Sequence, residues 1–313
     1  MSSATASARA AEFQELRPLL FSIAYRILGS VAEAEDAVQD TWLRWRGTTT
    51  QPSSVKSYLS AVVTRISIDV LRSARVRREE YVGPWVPEPL LADPYEDPER
   101  SAELADSLSM AALLLLERLS PLERAVFVLR EVFGFGFPEV ASAVGRSEAA
   151  CRQLAVRARR HMEAGRPRFE ADRREREELA ERFFEAFREG DVAGLRELLA
   201  ADVQLIGDGG GKAPLYADLT VGPDRISELI AQLLPVFRRM GVTLEPHDLN
   251  GQPGAIFHAP DGKVVSVMML DVLEGRVQTI HAVINPDKLR HVGPVADVWA
   301  LRRAAEGAEE AAR

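Results

Sequence analysis

Among 313 residues there is a single cysteine, Cys151. One thiol cannot form an intrachain disulfide, so no disulfide framework holds the fold, and a reducing compartment is the expected setting. Histidine is scarce too, at five, and no metal-ligand spacing such as HExxH occurs. Neither a metal nor a cofactor is expected. There is no run of about 18 apolar residues, which argues against a membrane-spanning helix. The N-terminal stretch MSSATASARAAEF lacks the apolar centre of a signal peptide. A cytoplasmic protein with no membrane partner is therefore expected. Net positive charge is lacking as well. The balance is −8, which, averaged over the whole chain, argues against binding nucleic acid.

The average hides a pattern. Between positions 41 and 82, Arg44, Arg46, Lys56, Arg65, Arg72, Arg75, Arg77 and Arg78 face three acids. Between 145 and 168, seven arginines face two acids. The stretch between the two blocks, 83–108, holds seven acids and one arginine. Electrostatic footprints are local, so two basic blocks across an acidic linker suit two separate contacts with nucleic acid.

Apolar spacing divides the chain further. Phe13, Leu16, Leu20, Ile23 and Ile27 recur every three or four residues and predict a helix over 12–28. Ser30 with Glu33 has capping-box spacing and opens a second helix to about 46. Trp42 and Trp45 fall on the apolar side of that helix; Glu35, Gln39 and Asp40 fall on the other. A loop, 47–54, precedes a basic helix over 55–78. From 82 to 100 five prolines exclude regular helix and predict an extended linker. Ser120, Pro121 and Glu123 form a second capping box. The run PEVASAV, Gly145 and SEAACRQLAVRARR then has the form of a helix-turn-helix whose second helix is rich in arginine. After about 176 the pattern becomes α+β. Helices are expected over 177–189, 192–200 and 223–239. Strands are expected over 203–206, 242–248, 255–258, 264–272 and 277–284, with Glu274-Gly275 as a hairpin turn. The last stretch, from 302, reads as a ragged tail.

Two blocks carry a resemblance. FQELRPLLFSIAYRILGSVAEAEDAVQDTWLRW (13–45) with SYLSAVVTRISIDVLRSARVRR (57–78) resembles region 2 of the extracytoplasmic-function (ECF) sigma factors. LSPLERAVFVLREVFGFGFPEVASAVGRSEAACRQLAVRARR (119–160) resembles their region 4. GPWVPEP (83–89), DGGGK (208–212) and NPDKL (285–289) resemble marks of the ECF group with a fused C-terminal SnoaL-like domain, the sigma-J-like proteins. The resemblance implies a multidomain chain: an all-α region 2 bundle (11–80), a Pro-rich acidic linker (81–105), an all-α region 4 helix-turn-helix (106–166), an α+β SnoaL-like cone with a curved antiparallel sheet (172–290), and a tail (291–313). It implies binding to bacterial RNA polymerase core through its clamp helices by Glu35, Asp36, Gln39, Asp40 and Trp42. It also implies contact with the −10 element by Lys56, Arg65, Arg72 and Arg75, and with the −35 element by Ser147, Arg152, Gln153 and Arg157. Arginine and glutamine can pair bidentately with guanine and adenine edges. Two positions depart from the common pattern: many members have Asn near Arg65, and often a polar residue at Leu154. No promoter sequence is therefore implied.

The remaining candidates divide between packing and function. Cys151 reads as a small core hydrophobe before it reads as a redox switch. Trp85 reads as an anchor for another domain, the alternative being a local cover on helix 55–78. Contacts that regulate by joining domains are expected from Trp85, Pro87, Asp208, Gly210, Lys212, Asn285, Pro286 and Asp287. The Gly-rich DGGGK lacks the spacing of a P-loop; a docking loop fits it better. Asp208, Asp218, His258, Asp271 and His281 are the acid–base candidates, and catalysis would need them to converge in one cavity. The expected function is a sigma factor, not an enzyme, modulated by its C-terminal domain, with a small ligand conceivable in the cone and no separate anti-sigma factor. The alternatives are an active isomerase or hydrolase in that domain, or a helix-turn-helix regulator that works without polymerase.

Overall fold

A computed structural model describes residues 3–49, 51–165, 173–214 and 218–312. The chain forms two compact units. One comprises Met1–Glu80 and Asp93–Arg166; the other comprises Tyr81–Ala92 and Pro167–Arg313.

The first unit is helical. α1 (Ser3–Leu28), α2 (Val31–Gly47) and α3 (Val55–Glu79) pack together through Leu20, Ile23, Ile27, Val38, Leu59, Val63 and Ile66, all buried. The expected cap is present: Ser30 Oγ accepts the Glu33 amide at 3.1 Å. Trp45 is buried and its indole N–H donates to the Arg9 carbonyl. Trp42 is half-buried against Phe13, with ring centroids 5.2 Å apart.

A 3-10 turn (Pro98–Arg100) leads into α4 (Ser101–Leu108) and α5 (Met110–Glu117). The Ser120–Glu123 box opens α6 (Pro121–Phe127), which runs into a π-helical turn (Val128–Val132). Gly145 then adopts φ +64° between α7 (Phe137–Val144) and α8 (Glu148–Gly165), a left-handed turn that glycine makes without a Cβ penalty. Leu154 and Cys151 are both buried in α8. The polar residue common at position 154 would have no place in this packing. Desolvation raises the Cys151 pKa and keeps it a thiol.

Two buried arginines tie the bundle to the helix-turn-helix half. Arg26 of α1 pairs with Asp93 at 2.9 Å and donates to Ser107 Oγ and the Leu104 carbonyl. Arg124 of α6 donates to the Arg26 carbonyl and pairs with Glu117. Burial draws the Arg26 pKa down and Asp93 opposes it; a guanidinium still stays charged at any physiological pH.

The second unit is α+β. Its sheet has the order β2-β1-β6-β5-β4-β3, from β1 (Leu199–Asp208), β2 (Leu219–Val221), β3 (Thr243–Leu249), β4 (Gln252–His258), β5 (Val264–Leu273) and β6 (Arg276–Val283). α9 (Arg173–Glu189), α10 (Val192–Leu198) and α11 (Pro223–Arg239) share one apolar cluster with the sheet, including Phe183, Phe187, Ile226, Phe257 and Leu270.

Three expectations need correction. The sheet is mixed, because β1 pairs with β6 in parallel; residue alternation carries no direction for strands so distant in sequence. The tail is α12 (Val298–Ala312), capped by Asp297, which accepts the Ala300 amide at 2.9 Å. Its apolar stripe, Val298 and Leu301, is too short to be recognised by periodicity. The linker is not one extended tether, since Tyr81–Ala92 belongs to the second unit and the acidic stretch from Asp93 to the first. Ser120→Ala removes an N-cap and should cost about 1 kcal/mol, read as a lower midpoint in urea unfolding followed by circular dichroism.

Candidate functional site

The residues expected to meet polymerase lie on α2. Asp36, Gln39 and Asp40 are exposed, and Glu35 pairs with Arg17. Leu43, which the sequence did not single out, is 48% exposed one turn beyond Gln39 and Asp40. An apolar residue flanked by acids gives that face both a hydrophobic and an electrostatic component.

The DNA candidates divide sharply. On α8, Gln153 is exposed, and so are Arg152 and Arg157. Arg152 pairs with Glu148 and lies over the Phe137 ring; Arg157 pairs with Glu123. Such exposed pairs are weak and give way readily to phosphate. Ser147 is used as a cap, accepting the Ala150 amide. Val156 is exposed on the same face and was not anticipated.

On α3 the situation differs. Arg65 donates to the Ala143 carbonyl at 3.1 Å and to the Ser142 carbonyl at 2.6 Å, capping the C-terminal end of α7. Ser57 donates to Glu139, and Lys56 lies over the Phe135 ring. The surface expected to hold the −10 strand thus packs against the first helix of the helix-turn-helix. Arg72 is exposed beside Asp69; the side chain of Arg75 lies outside the described ones.

In the second unit the regulatory candidates converge on one carboxylate. Asp208, at the end of β1, is fully buried. It accepts from the Tyr81 hydroxyl, from the Val86 amide at 2.9 Å and from Lys288 Nζ at 2.6 Å. Lys288 also donates to the Val86 carbonyl and lies 4.2 Å from the Trp85 ring centroid. Asn285 donates to the Tyr81 oxygen at 2.7 Å. Burial, then Asp208, push the Tyr81 pKa up, so the phenol remains a donor.

Gly210 has φ +55°, and a Cβ there would fall 2.3 Å from Asn285 Nδ2 and 2.7 Å from the Tyr81 oxygen. The glycine is what permits this approach. Lys212 pairs with Asp287 beside it, and Trp299 of α12 donates to the Lys212 carbonyl. Further along, Leu90 and Asn250 exchange two hydrogen bonds, and His291 meets the Pro89 carbonyl. Pro87 is buried within the bound stretch. Segment 81–92 is therefore held from the end of β1 to the turn between β3 and β4. Tyr81, Lys288 and Asn250 were missed from sequence. Lys288 had a signal, being the only cation within the NPDKL motif.

Of the acid–base candidates Asp271 and His281 form one pair, and the five do not share one cavity. His281 lies 2.8 Å from Asp271, His258 lies 3.1 Å from Glu245, and Asp218 adjoins Gly83. A cavity between the sheet and its helices is lined by Phe187, Met268 and Ala282 among others, and by none of these candidates. His281 falls between Ile280 of the apolar cluster and cavity-lining Ala282, so it leaves β6 on the opposite face. Among the described residues no group of three His, Cys, Asp or Glu could hold a metal ion, and no helix is long and apolar enough to cross a membrane.

Lys288→Met would leave Asp208 charged and buried without its cation, a loss of about 3–5 kcal/mol. Lys212→Met breaks an exposed pair and should cost less than about 1 kcal/mol. Urea unfolding of the two variants, followed by tryptophan fluorescence, measures the contrast.

Comparison with known proteins agrees with this geometry. Residues 13–77 match the Sigma-70 region 2 model, 109–162 the Sigma-70 region 4 model, and 180–300 the SnoaL-like domain. The chain is 37% identical over 289 residues to the ECF RNA polymerase sigma factor SigJ of Mycobacterium tuberculosis, covering 88% of this chain and 92% of that protein. It is 30% identical to the probable ECF sigma factor SigI of the same organism, covering 87% and 92%. The crystal structure of M. tuberculosis SigJ superposes with a TM-score of 0.69 at 33% identity, covering 92% of this chain and all of that one. These relatives bear the names of transcription initiation factors, not enzymes. The chain belongs to the ECF RNA polymerase sigma factors, and within them to the group with a fused C-terminal SnoaL-like domain.

Proposed function

We propose that this sigma factor directs promoter-specific initiation with RNA polymerase core in the cytoplasm, and that its C-terminal domain regulates it by gripping the tether between the two DNA readers. The observation that carries the reading is the buried Asp208–Lys288 pair closed over Val86. Segment 81–92 joins region 2 to region 4. Twelve extended residues can span about 40 Å, but a tether bound along its length cannot pay out. A gripped tether favours the state in which Arg65 caps α7 and the −10 surface is covered. Core polymerase and promoter must then compete with that state.

On this reading α2 offers Glu35, Asp36, Gln39, Asp40 and Trp42 to the clamp helices. Lys56, Arg65, Arg72 and Arg75 serve the −10 element once α3 is released. Ser147, Arg152, Gln153 and Arg157 serve the −35 element. Trp85, Pro87, Asp208, Gly210, Lys212, Asn285, Pro286 and Asp287 form the grip, and Lys288 is its centre. The grip takes the place of a separate anti-sigma factor. The C-terminal domain works by binding rather than as an isomerase or hydrolase, because its one His–Asp pair, Asp271–His281, and its other acid–base candidates all lie off its cavity.

Two experiments with core polymerase test this. Trp85→Ala with Asp208→Asn in the full chain should raise initiation about five-fold or more, the lower end of ordinary coupling energies; unchanged or lower initiation contradicts the grip. Cysteines at Ser57→Cys and Glu139→Cys, joined by a cleavable thiol cross-linker, should abolish initiation until the link is reduced. Full activity while cross-linked would show that α3 and α7 need not separate.

A further inference from the structure

Phe137 opens α7 beside the exposed Pro138 and Glu139, and it is itself only half-buried. Its ring carries two cations. The guanidinium carbon of Arg130, from the π-helical turn, lies 4.9 Å from the ring centroid, and that of Arg152, from α8, lies 5.0 Å from it. Both distances fall inside the reach of a cation–π attraction, about 6 Å. Each arginine has a second restraint. Arg130 donates to the Phe135 carbonyl at 3.0 Å. Arg152 donates to Glu148, one turn earlier on α8, at 2.7 Å.

Arg152 is thereby set apart from Arg157 on the same exposed face. Arg157 pairs with Glu123 at 3.2 Å, and an exposed ion pair exchanges readily. If Arg152 exchanges Glu148 for another acceptor, the aromatic face still restricts its guanidinium. Arg130, Phe137, Glu148 and Arg152 all lie within region 4, residues 109–162. The arrangement therefore does not depend on α3, and it persists when α3 leaves α7.

We propose that Phe137 is a positioning residue for the −35 readout: its ring holds the Arg152 guanidinium ready to pair with a guanine edge. The proposal rests on the assignment of α8 to the −35 element above. With one N–H on Glu148, the guanidinium keeps further donors for O6 and N7 of guanine. An arginine that samples its rotamers freely loses that freedom only on engaging the right base. One already held against a ring loses less, and the gain falls on the matched sequence alone. Phe137 therefore sets how sharply one base is chosen rather than how tightly the duplex is held. A phosphate contact would act on all sequences alike.

The test uses holoenzyme made from the full chain and core polymerase, on a promoter library randomised across the −35 element, with the transcripts sequenced. The unaltered chain should prefer guanine at one position, and Arg152→Ala should abolish that preference while the other positions keep theirs. Phe137→Leu keeps an apolar side chain without a π face. It should lower the guanine preference at that position about two- to ten-fold, the cost of ordering one long side chain at an interface. Phe137→Tyr keeps the π face and should retain the preference. Because the preference is a ratio among sequences, it is read from whatever fraction of a variant is folded. An unchanged guanine preference in Phe137→Leu, whatever its total initiation, overturns the positioning role. So does an equal loss in Phe137→Tyr, or an Arg152→Ala variant whose base preferences match those of the unaltered chain. If the unaltered chain selects no −35 sequence at all, the assignment of α8 fails, and the role of Phe137 falls with it.

Discussion

Burying Asp208 with Lys288 is the constraint on which the C-terminal domain turns. Removing two charges from water costs several kcal/mol per ion, and their attraction repays it only when every remaining lone pair and proton is satisfied. Here the satisfying groups come from outside the domain's own contiguous sequence. Tyr81 and the Val86 amide complete Asp208; the Val86 carbonyl and the faces of Tyr81 and Trp85 complete Lys288. Take away segment 81–92, and an ion pair is left half-solvated in an apolar setting. The fold therefore specifies the position of the tether as strictly as it specifies its own strands.

The first unit has a matching economy. Arg26 and Arg124 are buried, each paired with a carboxylate and bonded to further groups, and they hold α1 against the helices that follow Asp93. Arg65, by contrast, is exposed and, among the described residues, bonded to backbone carbonyls at the end of α7. A guanidinium on carbonyls is readily transferred to phosphate, which offers it a full negative charge. The buried arginines are structural, and the exposed one is exchangeable. That difference suits the proposed reading, in which one set of helices is both a stable resting body and a DNA reader.

Much of this was legible in the sequence, for identifiable reasons. The N-cap at Ser30, the capping box at Ser120 and the left-handed Gly145 are local devices, and they fixed the helix starts and the helix-turn-helix. The DGGGK motif suggested close backbone approach, because glycine has no Cβ; Gly210 approaches Tyr81 and Asn285, both within the second unit. What escaped was non-local. The parallel pairing of β1 with β6 joins strands about seventy residues apart. Lys288 stood within the NPDKL motif without being singled out, since only the fold reveals that it is buried against Asp208. Asn250 had no signal at all until its exchange with Leu90 was visible. Leu43 and Val156 were overlooked because apolar residues in amphipathic helices are assigned to the core by default, and here they face outward.

The most direct test of the account is amide hydrogen exchange at Val86 and Leu90 in the full-length protein, alone and then with RNA polymerase core and promoter DNA. Both amides are bonded to buried side-chain oxygens, Asp208 and Asn250. The account predicts strong protection in the free protein and its loss when the initiation complex forms. Exchange at the rate of an unfolded chain in the free protein, or protection unchanged in the complex, would contradict it.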